Sequence, residues 1–317
     1  MTGSGPTPPL GRHPHGALDA LLTAWPSSGP PDPPVGAARR AVALALEEDI
    51  GQLGDLTALL VPDEARAVVR VTARRPGVLA GRLCALEAFG QVDPSLGLDW
   101  RLPDGSALEA GTVVAEVRGA LRSILTAERT ALNFLCHLSG VATLARRFVD
   151  AVLSANPATR VLDTRKTTPG LRALEKAAVR AGGGWNHRAT LSDAVLVKDN
   201  HLGRLGVAEA VALARRWWPG RMVEVECDRI EQVAEAVDAG ASAVLLDNMS
   251  PPQVAECVAL VRVRTDDVPG TVLVEVSGGV TLDTAPAYAA AGADLVSVGA
   301  ITHSAPVVDI GLDLVEG

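Results

Sequence analysis

Residues 221–262 read RMVEVECDRIEQVAEAVDAGASAVLLDNMSPPQVAECVALVR. A short apolar run, VEVE, leads into RIEQVAEAVDAG, whose apolar residues fall three and four apart. A second run, AVLLD, leads into a second stretch of the same kind. The short runs have the length and Val/Leu content of buried strands, and the stretches between them have the period of a helix. Strands that are apolar throughout and joined by helices form a parallel sheet covered on both faces.

The alternation continues in both directions. Six strand candidates are visible: RVLD (160–163), AVLVK (194–198), RMVEVE (221–226), SAVLLD (242–247), TVLVEVS (271–277) and DLVSVG (294–299). Between the later ones lie helices at 206–218, 229–240, 251–262 and 281–292. Six strands fall short of the eight of a complete barrel, and periodicity alone does not separate a barrel from an open sheet. Upstream the rhythm differs. A helix at 36–51 precedes ARAVVRVTARR, GVLAG, a helix near RLCALEAFG, and GTVVAEVRG, a small α/β sandwich linked by Gly, Pro and Asp turns. A long helical region at 121–156 follows, with Ser139-Gly140 as an expected break. The first 34 residues hold nine prolines and read as a disordered extension over 1–35. The expected domains are the sandwich at 36–129 and the α/β unit at 130–303, with 304–317 packing back on the former.

Composition narrows the function. Hydrophobic residues make up 48% of the 317-residue chain, but aromatics only 3%. That is too few for base-stacking surfaces. A pI near 5.3 and a net charge of −8 also argue against a nucleic-acid partner. No apolar run approaches a membrane span, and the N-terminus lacks the pattern of an export signal. The four scattered cysteines read as reduced thiols, so the expected location is cytoplasmic.

Against that acidic background, cations gather in VLDTRKTTPGLR (161–172). Of 29 basic residues only three are Lys: Lys166, Lys176 and Lys198. Each strand candidate ends in a polar or Gly position. RVLD runs to Asp163, Arg165 and Lys166; AVLVK ends in Lys198; VEVE in Glu226; VLLD in Asp247; VEVS in Ser277-Gly278-Gly279; and VSVG in Gly299. In a β/α barrel these ends share one face, where active sites form. Six segments thus converge on a bowl for an anionic ligand. The turns SGGVT and VGAIT, each placed to open a helix, suit phosphate. Glu226 and Asp247 suit Mg²⁺ held together with substrate phosphates. Arg165 and Arg188 are able to fork carboxylates, a geometry Lys cannot copy.

These segments, with LTAERTALNFLCHLSGVAT (125–143), DTRKTTPGLRALEKAAVRAGGGWNHR (163–188), VLVKDNH (195–201) and SVGAITHSAPVVDIGLDL (297–314), resemble the quinolinate phosphoribosyltransferases, or nicotinate-nucleotide pyrophosphorylases (carboxylating). The resemblance spans about residues 36–317. It implies an incomplete, open parallel α/β barrel joined to an N-terminal α/β sandwich. It also implies de novo NAD biosynthesis: quinolinate and 5-phosphoribosyl-1-pyrophosphate give nicotinate mononucleotide, pyrophosphate and CO₂, with Mg²⁺. By likeness, Arg129 reaches across a homodimer into the neighbouring pocket. Arg165, His187, Arg188 and Lys198 hold the quinolinate carboxylates, with Lys166 between the two substrates. Glu226 and Asp247 bind ribose hydroxyls or Mg²⁺, directly or through water or substrate. Ser277, Gly278, Gly279 and Gly299 take the 5-phosphate. Lys166, Glu226 and Asp247 are then the catalytic set. Trp185 is bulkier than the pattern suggests.

Several residues have a plainer reading. Lys176 is a structural partner of Glu175 or Asp193, Asp163 a counter-ion for Arg165 or Lys166, and His137 and His303 are structural. His201 caps a helix or supports Lys198. Rival functions are a non-decarboxylating pyridine phosphoribosyltransferase, a Schiff-base aldolase using Lys198, and a non-catalytic phosphate-sensing protein on the same fold.

Overall fold

The Val and Leu runs of the C-terminal half form six parallel strands whose spatial order follows the chain. The computed structural model describes residues 33–201, 205–265 and 271–315, so the Pro-rich extension lies outside the described residues except for its last few positions. The six strands are β6 (Arg160–Leu162), β7 (Val195–Val197), β8 (Val223–Cys227), β9 (Ala243–Asp247), β10 (Leu273–Ser277) and β11 (Leu295–Ser297). Their order in the sheet is β6-β11-β10-β9-β8-β7, all parallel. Chain neighbours are thus sheet neighbours throughout except at β6 and β7, which form the two edges. The sheet is a barrel opened between its first two strands.

Trp185 fills part of that opening. Its backbone bridges Leu162 in parallel, with Trp185 N–H donating to the Val161 carbonyl at 2.8 Å and Asp163 N–H to the Trp185 carbonyl at 3.1 Å. Its ring packs, with Met222, against Leu162, Ala243, Leu273 and Leu295 inside the sheet. The bulk that looked out of pattern closes the floor of an incomplete barrel.

The N-terminal unit begins with α1 (Val35–Ile50) and builds a four-stranded antiparallel sheet. Its strands are β1 (Arg66–Ala73), β3 (Gly97–Trp100), β5 (Val113–Ala120) and β12 (Ile310–Leu314), in the order β12-β1-β5-β3. A two-stranded ribbon, β2 (Gly77–Val78) with β4 (Ala107–Leu108), and helix α2 (Arg82–Val92) complete it. The C-terminal β12 pairs with β1 from Val69↔Leu314 to Ala73↔Ile310, so the end of the chain does return to this unit.

Helix α3 (Leu121–Ala155) is continuous for 35 residues, and the expected break at Ser139-Gly140 does not occur. A mid-helix Gly costs about 1 kcal/mol relative to Ala. Buried side chains such as Leu135, Leu138, Val141 and Phe148 offset that by roughly 1.5–3 kcal/mol each. The dipeptide is a crossing point instead. Ser139 Oγ accepts the Ala80 N–H at 3.0 Å, and a Cβ on Gly140 would collide with the Pro306 carbonyl. The helices of the barrel side are α4 (Arg172–Ala181), α5 (Val207–Trp217), α6 (Ile230–Asp238), α7 (Pro251–Arg264), α8 (Ala285–Ala290) and α9 (Ala300–His303).

Candidate active site

Side chains along a strand alternate between faces, and the parallel register sorts the barrel interior into layers. At the bottom lie Ala243, Leu273 and Leu295. Two residues further along these strands come Leu245, Glu275 and Ser297, and two residues after Met222, on β8, comes Glu224, all buried. Two further again are Glu226, Asp247, Ser277 and Gly299, at the C-terminal ends and partly open to solvent. The predicted strand-end residues therefore share one face. Lys166 is exposed at the loop after β6, and its Cδ lies close enough to Gly299 that a Cβ there would stand 3.2 Å away. The Lys166 carbonyl accepts from Thr302 Oγ1 at 2.8 Å, tying the two loops together.

Lys198 Nζ donates to Glu226 Oε2 across β7 and β8. His201 accepts the Lys198 N–H on Nδ1 at 2.9 Å, which places it behind Lys198 rather than at a helix cap. Asp247 accepts from Asn248 Nδ2 at 2.8 Å. Asn248 is the one non-Gly residue with positive φ (55°) among the described residues, a conformation its short polar side chain tolerates. Its N–H donates to the Ser277 carbonyl at 3.0 Å. The loop then enters α7 through a capping box between Ser250 and Gln253, with Pro at the first turn. Gly278 (φ 93°) must be glycine because a Cβ would run into the Asn248 side chain. The turn at 277–279 does not open a helix directly, since α8 starts only at Ala285. Gly299 alone sits at a helix start, that of the four-residue α9.

Arg188 and Arg165 flank the open seam. Arg188 is buried, and its Nη1 donates to the Ala194 carbonyl at 3.1 Å. Burial, and then the positive charge of Arg165, depress its pKa. The Nε of Arg165 is buried with no hydrogen-bond partner. His187 is buried with both ring nitrogens engaged. Nδ1 accepts the Arg188 N–H at 2.8 Å, so Nε2 carries the proton and faces Glu224 Oε2 at 3.1 Å and Glu275 Oε2 at 3.5 Å. Burial lowers the His187 pKa. Both ring nitrogens are thus held by partners within the chain. Burial raises the two carboxyls, Glu224 to about 7 and Glu275 to about 8, the latter helped by the neighbouring Glu224 charge. Neither Glu was singled out from the sequence.

Two further expectations change partners. Asp163 is fully buried and pairs with Lys176 Nζ, not with Arg165 or Lys166. Lys176 also donates to the His187 carbonyl at 2.8 Å, and Asp163 accepts the His187 N–H at 2.9 Å. Glu175 takes His137 Nε2 at 2.9 Å instead of Lys176. Arg129 is exposed on α3, the helix that joins both units.

The family models for the quinolinate phosphoribosyl transferase N-terminal and C-terminal domains match residues 55–139 and 141–313. The chain belongs to the quinolinate phosphoribosyl transferase family. Among relatives of this family, it is 42% identical over 285 residues to the nicotinate-nucleotide pyrophosphorylase (carboxylating) of Mycobacterium leprae, covering 88% of this chain and 97% of that one. It is 37% identical over 299 residues to quinolinate phosphoribosyltransferase (decarboxylating) 1 of Nicotiana glauca, covering 90% and 84%. The solved nicotinate-nucleotide pyrophosphorylase of Francisella tularensis superposes with a TM-score of 0.85 at 37% identity, covering 91% of this chain and all of that one. The boundary between the two family domains falls inside α3, which runs through both units as one continuous helix.

Proposed function

We infer that this chain joins quinolinate to the ribose of 5-phosphoribosyl-1-pyrophosphate and releases pyrophosphate and CO₂, forming nicotinate mononucleotide for NAD biosynthesis. The observation that carries the reading is the Arg165–Arg188 pair. Two guanidiniums on the loops that border the open seam, with a buried, unpartnered Nε on Arg165, call for an anion. A pyridine dicarboxylate supplies it, and two planar forks fix the ring as well as its charge.

The rest of the bowl divides the chemistry. Lys166, Ser277, Gly278, Gly279 and Gly299 are suited to hold phosphate oxygens. Glu226 and Asp247 are suited to stabilise the positive charge that develops on the ribose as pyrophosphate leaves. They are also the residues that would hold Mg²⁺. Two carboxylates without a third protein ligand fit a magnesium ion completed by substrate phosphates and water, and the ion would neutralise the departing pyrophosphate. Once the pyridine nitrogen is substituted, the ring is cationic and accepts the electrons left by CO₂. The Arg cluster need only position that carboxylate, since stabilising its charge too well would slow its loss. Lys198 is ion-paired with Glu226, so an aldolase imine at Lys198 would leave that carboxylate without its cation.

A second copy of the chain completes the site. Leu53, Leu56, Leu59 and Leu60 are exposed between α1 and β1, and Leu125 is exposed one turn before Arg129 on α3. An apolar surface of this kind beside an exposed Arg fits a homodimer in which Arg129 enters the neighbouring bowl. All four thiols are free, and burial pushes those of Cys84 and Cys227 up to about 12, which suits a reducing cytoplasm.

The test is to supply quinolinate, 5-phosphoribosyl-1-pyrophosphate and Mg²⁺ to the purified protein and its Lys166→Ala variant. Nicotinate mononucleotide is expected from the first and not the second; no product from the unmodified chain overturns the reading.

A further inference from the structure

The barrel buries two glutamates one layer below the bowl, where the positions beneath them, two residues earlier in the chain, hold Met222 and Leu273. Glu224 and Glu275 are essentially unexposed, and desolvating carboxyl groups is costly. An apolar residue at either place would serve stability better, so their presence calls for a task. Their contacts indicate one. Ser297 Oγ donates to Glu275 Oε1 at 2.5 Å, fixing that carboxyl from β11. Glu224 and Glu275 together face the Nε2 of His187. The other ring nitrogen receives the N–H of Arg188, so the ring acts as a strut between two barrel strands and the Arg188 peptide. Asp163 holds the His187 peptide from the opposite side through its N–H.

We propose that Glu224 and Glu275 are positioning residues that act through His187 on Arg188, setting the guanidinium that receives the pyridine dicarboxylate. The proposal rests on the function inferred above and adds to it a role for three buried side chains. Hydrogen-bonded partners behind a liganding group fix its orientation, and their loss is felt as weaker binding. A donor set of one His and two Glu also has the composition of a cation site, since the three groups lie within 4.8 Å of one another. The strut assigns the His proton to the carboxyl pair instead and needs no ion.

The test compares Glu275→Gln, Glu224→Gln and the milder Ser297→Ala with the unmodified protein, alone and combined with Arg188→Lys. Quinolinate binding is read by titration calorimetry, and the His187 ring and Arg188 amide by ¹⁵N NMR. In the unmodified protein Nε2 of His187 is expected to be the protonated nitrogen. Each Gln variant should weaken quinolinate binding about tenfold and shift the Arg188 amide, with 5-phosphoribosyl-1-pyrophosphate binding changed less than about twofold; this is the scale for removing one outer partner of a liganding group. Ser297→Ala should do the same more weakly. In the Arg188→Lys background the Gln variants should add little, because the chain ends at a residue already altered. Additive losses, an unmoved Arg188 amide, equal weakening of both substrates, or a stoichiometric divalent metal lost on Glu275→Gln would each overturn the proposal. If the unmodified protein fails to bind quinolinate, the inferred function fails, and the NMR signals still decide whether the strut exists.

Discussion

Lys176 in α4 donates to Asp163 at the end of β6, and the pair lies buried directly behind the His187 peptide. Burial raises the Asp163 pKa and lowers that of Lys176, while each charge offsets the penalty on the other. Asn186 Nδ2 gives Asp163 a further hydrogen bond at 2.6 Å. The pair therefore joins the end of β6, whose following loop carries Arg165, to the loop that carries Arg188, the two guanidiniums on which the proposed dicarboxylate site depends.

Lys176→Met leaves Asp163 charged and buried without its cation. Breaking a buried pair from one side costs about 3–5 kcal/mol. The variant should melt roughly 10 °C lower by calorimetry, and any folded fraction should bind quinolinate poorly. A melting point within a degree or two of the parent would show that the pair is dispensable.

Arg165→Lys keeps the charge but removes the fork. A charge-assisted hydrogen bond is worth about 1.5–3 kcal/mol, so the Michaelis constant for quinolinate should rise about 10- to 100-fold. That for 5-phosphoribosyl-1-pyrophosphate should barely change. Steady-state kinetics with each substrate varied in turn separates the two.

Glu275 makes stability depend on pH in a definite direction. Its pKa is raised from 4.5 to about 8 by burial first and the Glu224 charge second. The folded chain therefore keeps a proton that the unfolded chain has lost between those values. This contribution is full below about pH 4.5 and disappears as pH rises through about 8, with a slope of at most about 1.4 kcal/mol per pH unit. Melting temperature should fall across that window, and Glu275→Gln should flatten the fall.

Gly140→Ala places a methyl group where the Pro306 carbonyl crosses α3. Overpacking of this sort costs about 1–3 kcal/mol. The loss should appear as a lower melting point and faster amide exchange in β12, whose chain leaves that crossing to pair with β1.

Much of the fold was legible because six Val/Leu runs alternate with amphipathic segments, and all six became the parallel strands. The strand ends were legible for the same reason: the rule that they share a face needs only the order of elements. What escaped lies one layer down. Glu224 and Glu275 are the first acidic residues of VEVE and VEVS, and a charge inside an otherwise apolar strand was the available signal. Strand-end reasoning passes over it. The partnership of Lys176 with Asp163 was hidden because it depends on how α4 packs against β6, which spacing along the chain does not encode. Ser139-Gly140 misled because a local helix penalty of about 1 kcal/mol says nothing of the carbonyl that crosses there. The sequence shows β12 only as a return of the terminus to the first unit, since five residues carry little periodicity.

The central claim is that pyridine substitution and loss of CO₂ belong to one reaction in this site. The most direct measurement uses quinolinate labelled with ¹³C in the carboxyl next to the ring nitrogen and follows labelled CO₂ and nicotinate mononucleotide together. The account predicts equal amounts of both, with both lost in Lys166→Ala. Mononucleotide formed from nicotinate, with no labelled CO₂ from quinolinate, would contradict it.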